Sequence, residues 1–93
     1  MKELNPRIKC TNGISLSVQA NQYTYCSPRI DELPTWNDYD LVEVGFITDD
    51  NGEEIAPPES WRQYAGDGFP SDVYGYVPTS MVEKFIEDNG GTR

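Results

Sequence analysis

The residues here whose types could do chemistry are clustered carboxylates and two thiols. Asp49-Asp50-Asn51-Gly52-Glu53-Glu54 is an oxygen-rich run of the kind that holds calcium. An EF-hand loop needs ligands at alternate positions, glycine sixth and glutamate twelfth. Here the glycine is fourth from Asp49 and the twelfth position is Ser60. The run is therefore read as a solvated acidic turn, with no metal assigned. Paired carboxylates do acid–base work when a cleft tunes them. Asp38 with Asp40, and Glu53 with Glu54, are read as loop residues without apolar surroundings that would shift a pKa. Cys10, Cys26 or a serine would need a base to become a nucleophile, and the chain has no histidine. Two thiols without histidine do not make a typical zinc site. They are expected to be free, partly buried and reduced, although a disulfide stays open if their strands are neighbours. Gly66-Asp67-Gly68 is too short to cradle phosphate, and its aspartate repels it. The residues predict no enzyme and no cofactor.

Charge is the stronger signal. Up to Ile30 the chain carries Lys2, Arg7, Lys9 and Arg29 against Glu3, a net +3. From Asp31 onward it carries 15 acids against three bases, a net −12, and the whole is −9. The basic end is too sparse for a nucleic-acid patch, and the overall charge repels a phosphate backbone. No direct nucleic-acid binding is expected. The 93 residues are read as one domain, 1–93, with one small core. A 12% aromatic share argues for a folded chain rather than an acidic tail. No apolar run is long enough to cross a bilayer, and MKELNPRIKC lacks the apolar stretch of a signal peptide. The expectation is a soluble intracellular protein with no membrane partner.

Several elements must position these groups. Arg7 to Thr11 reads as a short strand, and Asn12-Gly13 as a two-residue type I′ turn. Residues 14–20 alternate with period two, so Ile14, Leu16, Val18 and Ala20 face inward. Tyr23 to Ser27 reads as a third strand ended by Pro28, followed by a loop to Asp40. Leu41 to Ile47 is a central strand with Val42, Val44 and Phe46 on one face. Glu53 to Ala56 is a candidate edge strand, and Ser60 to Ala65 a single helical turn. Val73 to Val77 is the last strand, where Gly75 marks a bulge or a close backbone approach. Ser80 with Glu83 fits a capping box, with Thr79 the alternative cap. Val82, Phe85 and Ile86 form an apolar helical stripe, and Asn89-Gly90-Gly91 stops the helix. The predicted fold class is α+β: a small antiparallel β-sheet with one C-terminal α-helix packed on it.

Most aromatics in a domain this small cover the core, but Trp and Tyr also dominate binding hot spots. Trp36 and Trp61 lie in irregular segments beside acids and are expected as exposed anchors. The predicted partner-binding set is Trp36, Asp38, Tyr39, Asp40, Asp49, Asp50, Glu53, Glu54, Glu59 and Trp61.

Leu4-Asn5-Pro6-Arg7-Ile8, Ser15 to Ala20, Tyr25-Cys26-Ser27-Pro28-Arg29, Val42 to Phe46, Val73 to Pro78 and Gly90-Gly91 together resemble small acidic proteins encoded by tailed bacteriophages. The resemblance spans most of the chain except 30–40 and 48–70. It implies a phage protein made in the cytoplasm of the infected bacterial host. In size and acidity the chain is also similar in kind to phage anti-defence inhibitors, including anti-CRISPR proteins. The expected function is non-enzymatic inhibition of a nucleic-acid-handling defence complex, with carboxylates occupying a basic channel. The expected partner is a basic nucleic-acid-binding protein or ribonucleoprotein complex of the host, bound by a monomer or homodimer. One alternative is a phage structural or assembly protein that self-associates. Another is a protein that sequesters a small ligand, with Arg7, Lys9 and Arg29 forming its pocket.

Overall fold

The computed structural model describes residues 5–31, 33–66 and 68–92. Lys2, Glu3, Leu4 and Asp67, singled out above, lie outside the described residues. Four strands, β1 (Ile8–Lys9), β2 (Ser15–Gln19), β3 (Leu41–Thr48) and β4 (Val73–Pro78), form one antiparallel sheet in the order β1-β2-β3-β4. Helix α1 (Thr79–Asp88) follows β4 directly and packs on one face. Two 3₁₀ turns, Trp36–Asp38 and Glu59–Tyr64, punctuate the long connections.

The core follows from the alternation in β2. Leu16, Val18 and Ala20 are buried, while Ser15, Ser17 and Gln19 stay partly exposed on the other face. Ile14 is only half-buried, at the edge of the core. Val42, Val44 and Ile47 of β3 and Tyr74 and Val77 of β4 complete the sheet side. Val82, Phe85 and Ile86 of α1 close it, each contributing about 1.5–3 kcal/mol on full burial. That exceeds what a helix of this length gains alone, so α1 depends on the sheet.

Several local expectations are corrected. Cys10 and Ile14 close the first hairpin, leaving a three-residue loop rather than a two-residue turn. Gly13 takes φ +95°, the left-handed position that ends such a loop. Tyr23 to Ser27 forms no strand; one isolated bridge joins Ser27 to Leu41. The Asn21 side-chain and backbone oxygens bond Tyr23, Thr24 and Cys26, drawing that segment into turns. Glu53–Ala56 reduces to a bridge between Thr48 and Glu54. No capping box opens α1: Pro78 is the N-cap, and the Thr79 hydroxyl donates to the Tyr39 carbonyl. At the other end Gly91 N–H bonds Ile86 O and Gly90 N–H bonds Glu87 O, a Schellman stop. Cys10 and Cys26 are both buried and free.

Candidate functional site

The face of the sheet opposite α1 carries two distortions. Between the pairs Ser15–Thr48 and Ser17–Gly45, β3 holds one residue more than β2. Between Val42–Val77 and Val44–Tyr74, β4 holds one more than β3. The residues left between the pairs are Phe46-Ile47 in β3, directly after Gly45, and Gly75-Tyr76 in β4. In each bulge the aromatic residue is left-handed, with φ +51° at Phe46 and +55° at Tyr76. Bulky L-residues pay roughly 1–2 kcal/mol for that conformation. The bulges reset the alternation, so Ile47 returns to the core while Phe46 turns outward, 53% exposed. This corrects the expectation that Phe46 shares the face of Val42 and Val44.

Tyr25 completes the aromatic group. Its carbonyl accepts the Tyr76 amide, and its ring centroid lies 5.7 Å from that of Tyr76. A Cβ on Gly75 would stand 3.0 Å from Tyr25 Cβ, so glycine is what lets the 23–27 segment approach β4. Tyr25 is 54% and Tyr76 43% exposed. Beside Phe46 on this face lies a pocket of about 220 Å³ lined by Ser17, Gln19, Glu43, Gly45, Phe46 and Val73. Burial raises the Glu43 pKa above the ordinary glutamate range. Arg7 reaches across the same face, donating to the Ser15 and Thr48 hydroxyls and the Phe46 carbonyl.

The residues expected to bind a partner are scattered. Trp61 is buried, its ring centroid 5.7 Å from Tyr74 and 5.5 Å from Phe85, so it is a core residue and not an exposed anchor. Tyr39 is also buried, its hydroxyl donating to the Ile30 carbonyl. Irregular segments suggest exposure for both, yet such a segment can still drop one large side chain into a small core. Trp36 is half-buried and lines two adjoining cavities of about 550 and 300 Å³.

Asp38 caps the Thr35 amide and hydroxyl. Asp40 is exposed just before β3. Asp49 accepts the Asn51 and Glu53 amides, so this carboxylate organises its own turn. Asp50 lies against Gly13 of the first hairpin. Glu53 and Glu54 are exposed, and hydrogen bonding with Asp72, then burial and repulsion, raises the Glu54 pKa. Glu59 pairs with Arg62, whose hydrogen bond lowers the Glu59 pKa. Asp38 and Asp40 therefore lie before β3 and Asp49 to Glu54 after it, on the order of 25 Å apart at the ordinary strand rise, with Glu59 in the second 3₁₀ turn. Among the described residues no group of three or more His, Cys, Asp or Glu could hold a metal ion.

The basic trio is divided too. Arg7 and Lys9 line the larger Trp36 cavity, Arg29 does not, and the Arg7 guanidinium is engaged elsewhere. Sequence reasoning misses Tyr25, Glu43, Phe46 and Tyr76 as site residues. Only Tyr76 has a signal in the sequence, the mid-strand Gly75 directly before it.

No family model, curated protein or solved structure matches this chain.

Proposed function

We propose that this chain is a non-catalytic binding protein that docks a protein partner on the open face of its sheet. The observation that carries the reading is the pair of exposed aromatics, Phe46 and Tyr76, held left-handed at bulges. Glycine would occupy both positions without strain, and neither ring is buried in the core. Backbone strain retained under an exposed aromatic is the mark of a contact residue. The net charge of −9 favours a basic partner surface and speeds encounter with it.

A nucleic-acid-handling complex of a bacterial host fits that description, and the resemblance to phage proteins supports it. The chain would act in the host cytoplasm as a stoichiometric inhibitor, covering a surface that otherwise holds a phosphate backbone. Its acidic ends steer; its aromatic face grips.

The test is capture of partners from host lysate at low and high salt by four forms: parent, Phe46→Ala, Tyr76→Ala, and the Asp49, Asp50, Glu53 and Glu54 to lysine variant. We expect each aromatic truncation to weaken binding by roughly 2 kcal/mol. Charge reversal should slow association and flatten the salt dependence. Capture unaffected by either aromatic change removes the open face from the reading. Concentration-dependent dimers lost with Tyr76→Ala would instead favour the assembly protein.

A further inference from the structure

Glu43 sits near the middle of β3, half-buried, and opens into the 220 Å³ pocket on the exposed face. The other polar side chains there are engaged. Gln19 Nε2 donates to the Asn5 carbonyl and to Ser17 Oγ, and Gln19 Oε1 accepts the Asn5 amide. Arg7, the cation that crosses this face, gives its guanidinium to Ser15, Thr48 and the Phe46 carbonyl. Among the described residues the Glu43 carboxylate makes no hydrogen bond or ion pair. The carboxylate is partly desolvated without a counter-ion, and that burial raises its pKa. Phe46 and Val73 supply apolar walls beside it.

We infer that this pocket receives the guanidinium head of an arginine from the protein partner, with Glu43 as its counter-ion and Phe46 as a wall. The inference rests on the reading of the open face as the docking surface, and names the group that surface recognises. A guanidinium is preferred to an ammonium for two reasons. It is planar and weakly hydrated, so it stacks on an aromatic wall, and its fork matches a carboxylate. A basic partner surface also offers such side chains to a chain of net charge −9.

The test is an amide-resolved NMR titration of the full chain with three probes: N-acetyl-arginine methylamide, its citrulline analogue and N-acetyl-lysine methylamide. Arginine should shift Glu43, Gly45, Phe46 and Val73, citrulline should not, and lysine should bind more weakly. Glu43→Gln should weaken the arginine response at least about tenfold while the spectrum stays dispersed. Shifts centred on residues 49–54, an unchanged response in Glu43→Gln, or equal binding of lysine would each overturn the assignment. Partner capture separates the two levels. If Tyr76→Ala loses the partner and Glu43→Gln does not, the arginine pocket fails alone. If arginine binds at Glu43 while Phe46→Ala and Tyr76→Ala capture normally, the docking face fails and the pocket stands.

Discussion

At neutral pH the Glu43 carboxylate is charged in a half-buried place, whereas in the unfolded chain it is fully solvated. Because burial raises its pKa in the fold, the charged form opposes folding. That cost is complete above the folded pKa, shrinks as pH falls through it, and vanishes below the unfolded value. We therefore expect Glu43→Gln to be more stable than the parent near pH 7 and equal to it near pH 3, by urea unfolding at each pH. A side chain that costs stability and still faces a pocket is better explained by what it binds. The aromatics make the same distinction. Trp61→Ala should cost about 3–5 kcal/mol, since it empties a buried site between Tyr74 and Phe85. Phe46→Gly should change stability by less than about 1 kcal/mol, because relief of the left-handed strain offsets the packing of a half-exposed ring. Denaturant midpoints of the two variants check this directly.

Elements decide how these side chains are shown to solvent. The bulge at Gly75-Tyr76 works only while Tyr25 lies close over Gly75. Gly75→Ala should push the 23–27 segment away, cost about 1–3 kcal/mol, and increase exchange at the Tyr76 amide, read by hydrogen exchange. The regular elements are legible in the sequence because their periods are clean. The Leu16-Val18-Ala20 alternation places β2, and Val82, Phe85 and Ile86 place α1. Gly75 suggests a bulge or a close approach, and the structure has both. The bulge in β3 is not legible, because Gly45-Phe46 continues an apolar run that any central strand could have. Without it the alternation puts Phe46 inside. The candidate site stays hidden for the same reason: which aromatics face water depends on a one-residue slip, and a slip leaves almost no trace in composition. Trp36 and Trp61 have similar surroundings in sequence, and tertiary packing separates them.

Across the whole molecule, acids lie before and after β3, while the open face between carries the aromatic rings with one cation, Arg7, and one carboxylate, Glu43. On the proposed reading encounter and grip fall to different residues, so raising salt should lower the association rate far more than the dissociation rate. Surface-plasmon kinetics on a captured partner would separate the two. The sheet order has one more effect. β4 is an outer strand, and outer strands present a row of free amides on which fibrils grow. Here the extra residue at Gly75-Tyr76 breaks the row, and the Tyr25 carbonyl already holds the Tyr76 amide. A second molecule finds no continuous ladder to extend there. The distortion that lifts Tyr76 into solvent thus also breaks the edge along which another strand would pair.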